Sequence, residues 1–534
     1  MKNREFAVAK LSELKDGEMK EVEAGGTKIL LARARGKCFA VGAHCTHYGA
    51  PLVDGFLSGE RIVCPWHHAS FNAATGDVEE PPAFDALPRF DVKIEGDKIL
   101  VHVPENAPDR RTPPMTKKDA RDKRQFVILG GGAAGFMAAQ TLREEGFAGR
   151  VLMITRENRL PYDRPNLSKD YLQGHAEPAW MPLRDDEFFT ENDIEIWREK
   201  EVAKVDVAAQ TIAFSDGKIL EFDSLLIATG GVPRRLPFQT GAEKNVFLLR
   251  SFADSDAIIA AAEAGKHAVV IGASFIGMEA ASSLRERGCE VTVVAPDKVP
   301  FEKILGAEIG ALFQKIHERK SVDFRLGTQV KNFEGEGDRI KAVLLENGER
   351  IEADFVVVGV GVTPATGFLE GIELHKDGGV IADEFLRIAE NVYAAGDIAH
   401  FPDSRAQDGE LVRVEHWRFA MQQGRTAARN MAGGHEVFTA VPFFWTTQFD
   451  ANLRYVGHAK EWDKILFQGD VERQDFLALY VKDGHILAVA GMNRDREMAD
   501  WEELIRQNKV PSPDKLSENS VSLSEQSKNF IGLF

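Results

Sequence analysis

One local design occurs twice in this sequence: an apolar strand, a glycine-rich turn and a helix in immediate succession. The first copy, QFVILGGGAAGFMAAQTL, starts at residue 125, and the second, HAVVIGASFIGMEAASSL, starts at residue 267. Glycine permits the tight turn and lets a pyrophosphate approach the N-terminus of the helix. The fingerprint positions hold Gly130, Gly132 and Gly135 in the first copy and Gly272, Ser274 and Gly277 in the second. This repeat predicts two Rossmann-like α/β dinucleotide-binding domains.

The rest of the chain divides by composition into three further segments. Residues 1–104 contain short apolar runs separated by Gly, Asp and Pro turns, which predicts an all-β domain. Residues 105–122 are rich in Pro and charge, which predicts an exposed, flexible linker. From about residue 438, strand-like runs precede a charged helix, which predicts a separate α+β domain. We therefore expect a multidomain protein.

Charge and cysteine content exclude several functional classes. The formal net charge of −17 would repel a polyanion, so we expect no nucleic acid partner, although a basic protein would be attracted. Four cysteines in 534 residues do not make a disulfide framework, and the first residues lack the apolar region of a secretory signal. No stretch approaches the roughly 20 apolar residues of a membrane span. We expect a soluble, cytoplasmic protein without membrane association.

Two short motifs near the start each pair a cysteine with a histidine: Cys45-x-His47 and Cys64-x-x-His67. A Rieske [2Fe–2S] centre holds one iron with two Cys thiolates and the other with two His imidazoles. A tetrahedral zinc site uses the same residue types and is the chemical rival. The sequence around the second motif, including FNAATGDVEEPP, resembles Rieske ferredoxins, and this favours the iron–sulfur cluster.

Four further histidine and cysteine residues are predicted to have structural roles rather than to bind the cluster. His44 and His68 flank the motifs and are predicted to be non-ligands. Cys38 and Cys289 are predicted to be core residues.

The cluster loops lack two features of high-potential Rieske proteins. Ala50 and Trp66 stand where those proteins carry an extra disulfide, and Ala69 and Phe71 stand where they carry hydroxyl donors. Fewer hydrogen bonds to a cluster stabilise its reduced form less. We expect a reduction potential near the low end of the Rieske range, about −150 mV.

Acidic residues after the two fingerprints bear on the nucleotide. Glu157 follows the strand VLMITRE and is predicted to bind a ribose hydroxyl. In the second copy Ala295 occupies the usual acidic position, and Asp297 lies two residues further on, followed by Lys298. NADH and NADPH both remain open, with NADH slightly favoured.

Further motifs carry a resemblance to a known family. They are PYDRPNLSK at 161–169, LLIATGG at 225–231, PFEKILG at 300–306, VVVGVGVTP at 356–364, VYAAGDIA at 392–399 and VEHWRFAMQQGR at 414–425. With these motifs the chain resembles the FAD-dependent ferredoxin reductases of oxygenase systems. The Cys/His domain in front makes it similar to the Rieske-fused, apoptosis-inducing-factor-like pyridine nucleotide-disulfide oxidoreductases. The resemblance covers nearly the whole chain.

This resemblance implies the domain boundaries. They are a Rieske domain at 1–104, a linker at 105–122, an FAD-binding domain at 123–253 and 377–437, an inserted NAD(P)H-binding domain at 254–376, and a C-terminal α+β interface domain at 438–534.

The resemblance also implies roles for single residues. Lys169 and Glu279 would pair beside the flavin N5 and act in catalysis, and Asp397 would bind the ribityl chain of FAD. Further cofactor contacts would come from Ala134, Arg164, Val202, Arg250, Trp417 and Trp445 for FAD, and from Ile276 and Gly361 for the nicotinamide nucleotide.

The exit route for electrons follows from a missing motif. The broader superfamily often uses a C-x-x-C pair beside the flavin, and this chain has none. Electrons therefore cannot leave through a dithiol. We expect NAD(P)H to reduce FAD, FAD to reduce the Rieske cluster, and the cluster to reduce a ferredoxin, oxygenase or cytochrome. The linker would let the Rieske domain dock on the flavin and swing away.

Three alternatives stay open at this point. In the first, the flavin reduces an external partner directly and the Rieske domain is regulatory. In the second, the chain is a redox-sensing signalling flavoprotein rather than a turnover enzyme. In the third, the Rieske domain supports oxygenase chemistry, which needs a 2-His-1-carboxylate iron site that the sequence does not reveal.

Overall fold

The computed structural model describes residues 3–241, 243–403, 405 and 409–517. Over these residues an all-β region is followed by two interleaved α/β regions and an α+β region, which confirms the predicted fold class. Residues 518–534 of the predicted C-terminal domain lie outside the described residues.

The N-terminal region consists of two antiparallel sheets. Its strand Thr27–Ala34 is buried on both faces, since Leu30 packs with Cys45 and Cys64 while the adjacent Leu31 packs into a separate core. The larger sheet has the order Asn3–Lys10, Lys98–Pro104, Arg89–Glu95, Lys37–Gly42, Thr27–Ala34 and Met19–Ala24. The smaller has the order Phe56–Ser58, Arg61–Val63, Ser70–Asn72 and Val78–Glu80.

The first α/β region is built on a mainly parallel sheet. The order is Ile194–Trp197, Arg150–Ile154, Gln125–Leu129, Ser224–Ile227, Val392–Ala394 and Arg387–Ala389, and only the last pairing is antiparallel. Three small sheets surround it: Ile219–Glu221, Thr211–Phe214, Val202–Asp206 and Leu369–Glu370; Gly231–Pro233 with Val362–Pro364; and Val380–Ile381, Ala399–Pro402 and Leu411–Val412. The return of residues 392–394 to this sheet shows that the second α/β region is an insertion.

The inserted region repeats the design with a fully parallel sheet. The order is Val246–Leu248, Phe355–Val358, His267–Ile271, Glu290–Ala295 and Val322–Leu326. An antiparallel sheet of Val330–Glu336, Arg339–Leu345 and Arg350–Glu352 packs beside it.

The C-terminal region is an antiparallel sheet covered by helices. The strand order is Phe443–Gln448, Ala451–Gly457, His485–Met492, Asp475–Lys482 and Lys464–Asp470. The α-helices of the described residues are Ala133–Glu144, Asp170–Gln173, Asp186–Glu191, Phe252–Ala261, Phe275–Glu286, Glu302–Leu305, Ala307–Arg319, Trp417–Met431, Asp495–Arg506 and Pro513–Ser517. The 3₁₀ helices are Leu11–Glu13, Leu52–Asp54, Arg164–Ser168 and Pro178–Trp180. None of the helices described has the length and apolar character that crossing a bilayer requires.

Both dinucleotide turns require glycine for steric reasons. Gly130 has φ +120°, and a Cβ there would lie 2.1 Å from the carbonyl oxygen of Ala228. Gly272 has φ +113°, and its Cβ would lie 2.3 Å from the oxygen of Gly359. The turns are therefore specified by close backbone contact with the neighbouring strand.

The predicted linker forms backbone hydrogen bonds with the folded regions on both sides of it. Arg111 exchanges two backbone hydrogen bonds of 2.8 Å with Ala86 of the all-β region. Thr116 N–H donates to Arg143 O at 2.9 Å, on the first α/β region. The segment therefore runs along both regions, which differs from the free tether that its composition suggested.

Candidate functional site

The four predicted cluster ligands converge at the tip of the all-β region. Cys45 and Cys64 are buried, and their thiols lie close enough to influence each other's protonation. The Nδ1 atoms of His47 and His67 lie 3.2 Å apart. The two loops have the same geometry, because each cysteine N–H donates to the carbonyl five residues later, Cys45 to Ala50 and Cys64 to Ala69. Two separate loops thus present two sulfur and two nitrogen donors to one point.

The protonation chemistry of Cys64 and His47 fits a [2Fe–2S] cluster, whereas the neighbouring Cys64 thiol and burial raise the pKa of Cys45, whose thiol must lose its proton to bind iron. Burial alone would raise the pKa of Cys64, but the Cys45 thiol and the backbone N–H groups of Trp66 and His67 lower it below its usual range. Burial lowers the pKa of His47 to about 3, so this imidazole is neutral and its lone pair is available. Thiolates and neutral imidazoles are the donor set of a Rieske centre.

The flanking candidates have other partners. The His68 ring stacks on Phe443 at 4.1 Å, and its Nδ1 donates to Glu502, so it points away from the ligands. Cys289 is buried, with its Sγ 3.5 Å from Glu263 O, and Cys38 lies on the strand Lys37–Gly42.

A cavity of about 1490 Å³ lies between the two α/β regions and the C-terminal sheet. Its size exceeds that of a site for one drug-sized ligand and accommodates two nucleotides. The predicted cofactor residues that line it are Gly130, Gly132, Ala134, Glu157, Arg164, Lys169, Val202, Arg250, Ser274, Ile276, Glu279, Gly361, Asp397, Trp417 and Trp445.

Four predicted residues do not line the cavity. Gly272 lies in the second turn, whereas Gly135 and Gly277 lie at the start of the two helices, where a Cβ would be 1.9 and 2.1 Å from the carbonyl oxygens of Gly130 and Gly272. Asp297 lies outside the lining and forms an ion pair of 2.8 Å with Lys303, which does line it. Lys303 belongs to the motif PFEKILG at 300–306, but no cofactor role was predicted for it.

The cavity wall fits dinucleotides at both helix N-termini. The N-cap residues of the helices Ala133–Glu144 and Phe275–Glu286 are Gly132, which has no side chain, and Ser274, whose side chain accepts no hydrogen bond from its helix. A Cβ at Gly132 would meet nothing within 4 Å, so the backbone is open to a ligand. Uncapped N–H groups at a cavity wall are the usual binding site of a pyrophosphate.

Charged side chains are paired along the part of this wall that the first α/β region forms. Arg250 Nη2 donates to Asp397 Oδ2 at 2.7 Å. Arg164 Nη2 and Tyr162 Oη donate to Glu157 at 3.0 and 2.7 Å. Burial would raise the pKa of Glu157, but Arg164 lowers it, so the carboxylate is ionised and positioned for hydroxyl groups.

The predicted pair Lys169–Glu279 is present, with additional partners. Lys169 Nζ lies 2.7 Å from Glu279 Oε2, and both side chains are largely buried. Ser168 Oγ donates to the same oxygen at 2.5 Å, and Thr446 Oγ1 donates to Glu279 Oε1 at 2.7 Å. Sequence reasoning missed Ser168 and Thr446, although each adjoins a predicted residue.

Trp445 joins the cavity to the cluster ligands. Its ring lines the cavity, and the centroid of the His67 ring lies 4.4 Å away. Arg454 Nε donates to Trp66 O at 2.9 Å and holds the same cluster loop against the C-terminal sheet.

Buried polar contacts hold the all-β region in this position. Glu502 accepts from His68 and, at 2.7 Å, from Arg418, whose Nε donates to Pro81 O at 2.9 Å. Arg184 forms a bidentate ion pair with Asp85 at 2.6 and 3.0 Å. His68, Arg418 and Asp85 are at most 1% exposed, so this interface excludes water.

The structure brings together one 2-His-1-carboxylate group that the sequence did not reveal. His375 Nδ1 and His400 Nε2 each lie 2.9 Å from Asp377 Oδ1, and Arg413 Nε donates to Asp377 Oδ2 at 2.9 Å. Both carboxylate oxygens therefore have hydrogen-bond donors already. We interpret the group as a structural hydrogen-bond network rather than a metal site. Arg413 connects it to Asp397, because Arg413 Nη1 donates to Asp397 O at 2.6 Å.

Comparisons with known families agree with this division of the chain. Residues 124–424 match the family described as Pyridine nucleotide-disulphide oxidoreductase. Residues 4–91 match the Rieske [2Fe-2S] domain, and residues 443–526 match Reductase C-terminal.

Individual relatives are similar over most of their length. Apoptosis-inducing factor 3 of Homo sapiens is 39% identical over 501 residues, which is 92% of this chain and 82% of the relative. The 5,5'-dehydrodivanillate O-demethylase ferredoxin reductase subunit of Sphingobium sp. is 35% identical, over 75% of this chain and 97% of the relative. The crystal structure of the covalent putidaredoxin reductase-putidaredoxin complex matches with a TM-score of 0.73 and 30% identity, over 77% of this chain and 100% of that one.

These matches confirm the predicted family, cofactors and class of enzyme. The chain belongs to the pyridine nucleotide-disulphide oxidoreductases, as an FAD-dependent NAD(P)H oxidoreductase of the ferredoxin reductase type that carries a Rieske [2Fe–2S] domain.

Proposed function

We propose that this protein carries electrons from NAD(P)H through FAD to its own Rieske cluster and from there to a separate protein acceptor. The observation that supports this proposal is the position of Trp445, whose ring lines the dinucleotide cavity and lies 4.4 Å from the ring of His67. One aromatic side chain therefore contacts both predicted cofactor sites.

The chain's own residues would position the cofactors. FAD, when bound, takes up a hydride and releases single electrons, and a Rieske cluster accepts one electron. We assign the cluster ligands Cys45, His47, Cys64 and His67. The N–H groups after Gly132 would hold the FAD pyrophosphate, and those after Ser274 would hold that of the nicotinamide nucleotide.

Lys169 would act at the flavin ring. Its ammonium group is fixed by Glu279, whose carboxylate also accepts from Ser168 and Thr446. A fixed positive charge at the cavity wall stabilises negative charge that develops on a ring nitrogen. The preference for NADH, the cytoplasmic location and the domain boundaries remain predictions.

The docked all-β region argues for the internal route over direct reduction of an external partner. His67 covers one side of Trp445, and the buried contacts of Arg418 and Asp85 hold it there. An external protein would have to displace this region to reach Trp445. The bonded course of the linker also argues against the swinging motion expected from composition.

Stopped-flow mixing with NADH tests the proposal. Flavin bleaching should be followed by the spectrum of a reduced Rieske cluster. A Trp445→Ala variant should keep the first phase and slow the second, whereas Trp180→Ala, at a tryptophan that is 67% exposed, should change neither.

Two results would reject the internal route. One is flavin bleaching without cluster reduction in the unmodified chain. The other is a Cys45→Ser variant, without its cluster, that still reduces the natural acceptor at the original rate. A slow NADH reaction with a long-lived flavin–nicotinamide complex would favour redox sensing instead.

A further inference from the structure

The two histidine ligands of the cluster have different surroundings. His67 faces inward, against Trp445. The His47 ring stacks on Tyr48 at 4.0 Å with an interplanar angle of 15°. Tyr48 is 47% exposed, although it lies directly on a metal ligand. The Tyr48 ring also lies 5.5 Å from the His67 ring, and its hydroxyl accepts from Asn166 of the first α/β region at 3.0 Å. The cluster site therefore has one side covered by Trp445 and another that Tyr48 leaves partly exposed.

The solvent side carries exposed aromatic residues that belong to the two cluster loops. Tyr48 follows His47, and Trp66, which precedes His67, is 38% exposed. Gly49, which follows Tyr48 directly, is also exposed. Exposed tyrosine and tryptophan are enriched where proteins bind one another. Because Trp445 covers the inner side, this surface offers a partner an approach to the cluster.

The border of this surface is acidic. The Tyr48 hydroxyl donates to Asp163, and both Asp163 and the exposed Asp170 act electrostatically on Tyr48. Glu286 lies near Asp170 and Asp450 and is also exposed, with His175 and Lys320 as the neighbouring basic groups. Within the part of the chain that the structure describes, no ion pair joins Asp170 or Glu286 to a cation, and the nearby Lys169 is paired with Glu279.

We propose that Tyr48, Gly49, Trp66, Asp170 and Glu286 form an exit face, at which a small electron-transfer protein with a lysine-rich rim docks. This proposal rests on the proposed function and specifies its acceptor. An acidic rim around exposed aromatic residues is complementary to a basic partner and repels an acidic one. One electron passes to each acceptor molecule, so one NADH, oxidised to NAD⁺ with release of one proton, reduces two of them.

Binding to two probe proteins tests the exit face without turnover. The probes are a basic ferricytochrome c and an acidic [2Fe–2S] ferredoxin, and calorimetry with the oxidised, cofactor-loaded chain gives their affinities. We expect the cytochrome to bind more tightly and its affinity to fall with added salt. The double variant Asp170→Lys, Glu286→Lys should weaken cytochrome binding about tenfold at low ionic strength.

A matched control and a chemical map complete the binding experiment. Glu336→Lys reverses an exposed charge on the sheet beside the NAD(P)H region and should leave the affinity unchanged. A carbodiimide joins carboxylates to lysine amines in contact, so cross-links should map to Asp170 and Glu286. Tighter binding of the ferredoxin, or cross-links confined to other surfaces, would overturn the proposal.

A second measurement separates this proposal from the internal route. The chain is reduced with dithionite, desalted and mixed with ferricytochrome c, so that NADH is not involved. Tyr48→Ala should slow re-oxidation of the cluster, while Tyr48→Phe, which keeps the ring on His47, should not. Equal rates in all three proteins would reject the exit face. A cluster that NADH fails to reduce, in a chain with normal re-oxidation, would reject only the internal route.

Discussion

The buried carboxylate of Glu502 allows a quantitative test of the docked arrangement. It accepts from Arg418 at 2.7 Å and from His68, the residue after the ligand His67. Arg418 and His68 are completely buried. The substitution Glu502→Gln keeps the shape of the side chain and removes its charge, leaving Arg418 without a counter-ion.

The cost of this change follows from the pKa of Glu502. Burial alone would raise that pKa, but Arg418 and His68 lower it from 4.5 to about 2. This shift corresponds to about 3 kcal/mol in favour of the ionised, folded form. Loss of one partner from a buried ion pair typically costs a similar amount. We expect Glu502→Gln to destabilise the docked region by about 3 kcal/mol at pH 7.

The sign of the pH dependence is fixed by the lowered pKa. The stabilisation is complete above the unfolded value of 4.5 and is lost as the pH falls toward 2. The difference in the stability of the docked region between Glu502→Gln and the unmodified chain should therefore be about 1 kcal/mol smaller at pH 4 than at pH 7.

Hydrogen exchange of the helix Asp495–Arg506, which carries Glu502, measures this free energy locally in the cofactor-loaded chain. The same change at an exposed pair is the control: Glu461, whose side chain is 78% exposed, lies 2.8 Å from Lys482, and Glu461→Gln should leave the local stability almost unchanged because solvent screens the pair. A Glu502→Gln effect no larger than that of the control would refute the argument for charge-dependent docking.

Further substitutions test the cofactor sites. Gly130→Ala places a Cβ 2.1 Å from Ala228 O, so the purified variant should contain little FAD by flavin fluorescence; full occupancy would contradict this. Cys45→Ser should abolish the electron paramagnetic resonance signal of the reduced Rieske cluster while NADH still bleaches the flavin; an unchanged signal would remove Cys45 from the ligand set. Lys169→Ala should slow flavin reduction by NADH, because a fixed positive charge is lost, and an unchanged rate would remove Lys169 from catalysis. A redox titration should give a cluster midpoint potential near −150 mV. A clearly positive potential would contradict the prediction and would indicate hydrogen-bond donors to the cluster from outside the two motifs.

Local motifs predicted most of the fold because each encodes its own geometry. The turn at Gly130 allows only glycine, since Ala228 O lies where a Cβ would be. The spacing of Cys45 and His47 puts both side chains on one loop. Features of this kind depend on few neighbours and can be read from a short stretch of sequence.

Contacts between distant segments were not predictable in the same way. His68 looked like a bystander because its partner Glu502 lies 434 residues further along the chain. Asp377 joins His400, 23 residues away, only because two strands bring them together. Residues 105–122 have the composition of a flexible linker, and only the folded surface supplies partners such as Ala86 and Arg143.

The docked position of the all-β region changes what the linker has to do. For a transiently docking domain, the effective concentration at the flavin falls roughly as the −3/2 power of linker length, so doubling the segment would slow cluster reduction about threefold. For a region held by buried contacts such as Glu502–Arg418, the docked fraction is already near one, and added length changes almost nothing. A flexible insertion between Pro113 and Pro114 should therefore leave the rate unaltered in the unmodified chain. The same insertion should slow transfer in the Glu502→Gln variant, because only then does the tether, rather than the interface, keep the cluster beside Trp445.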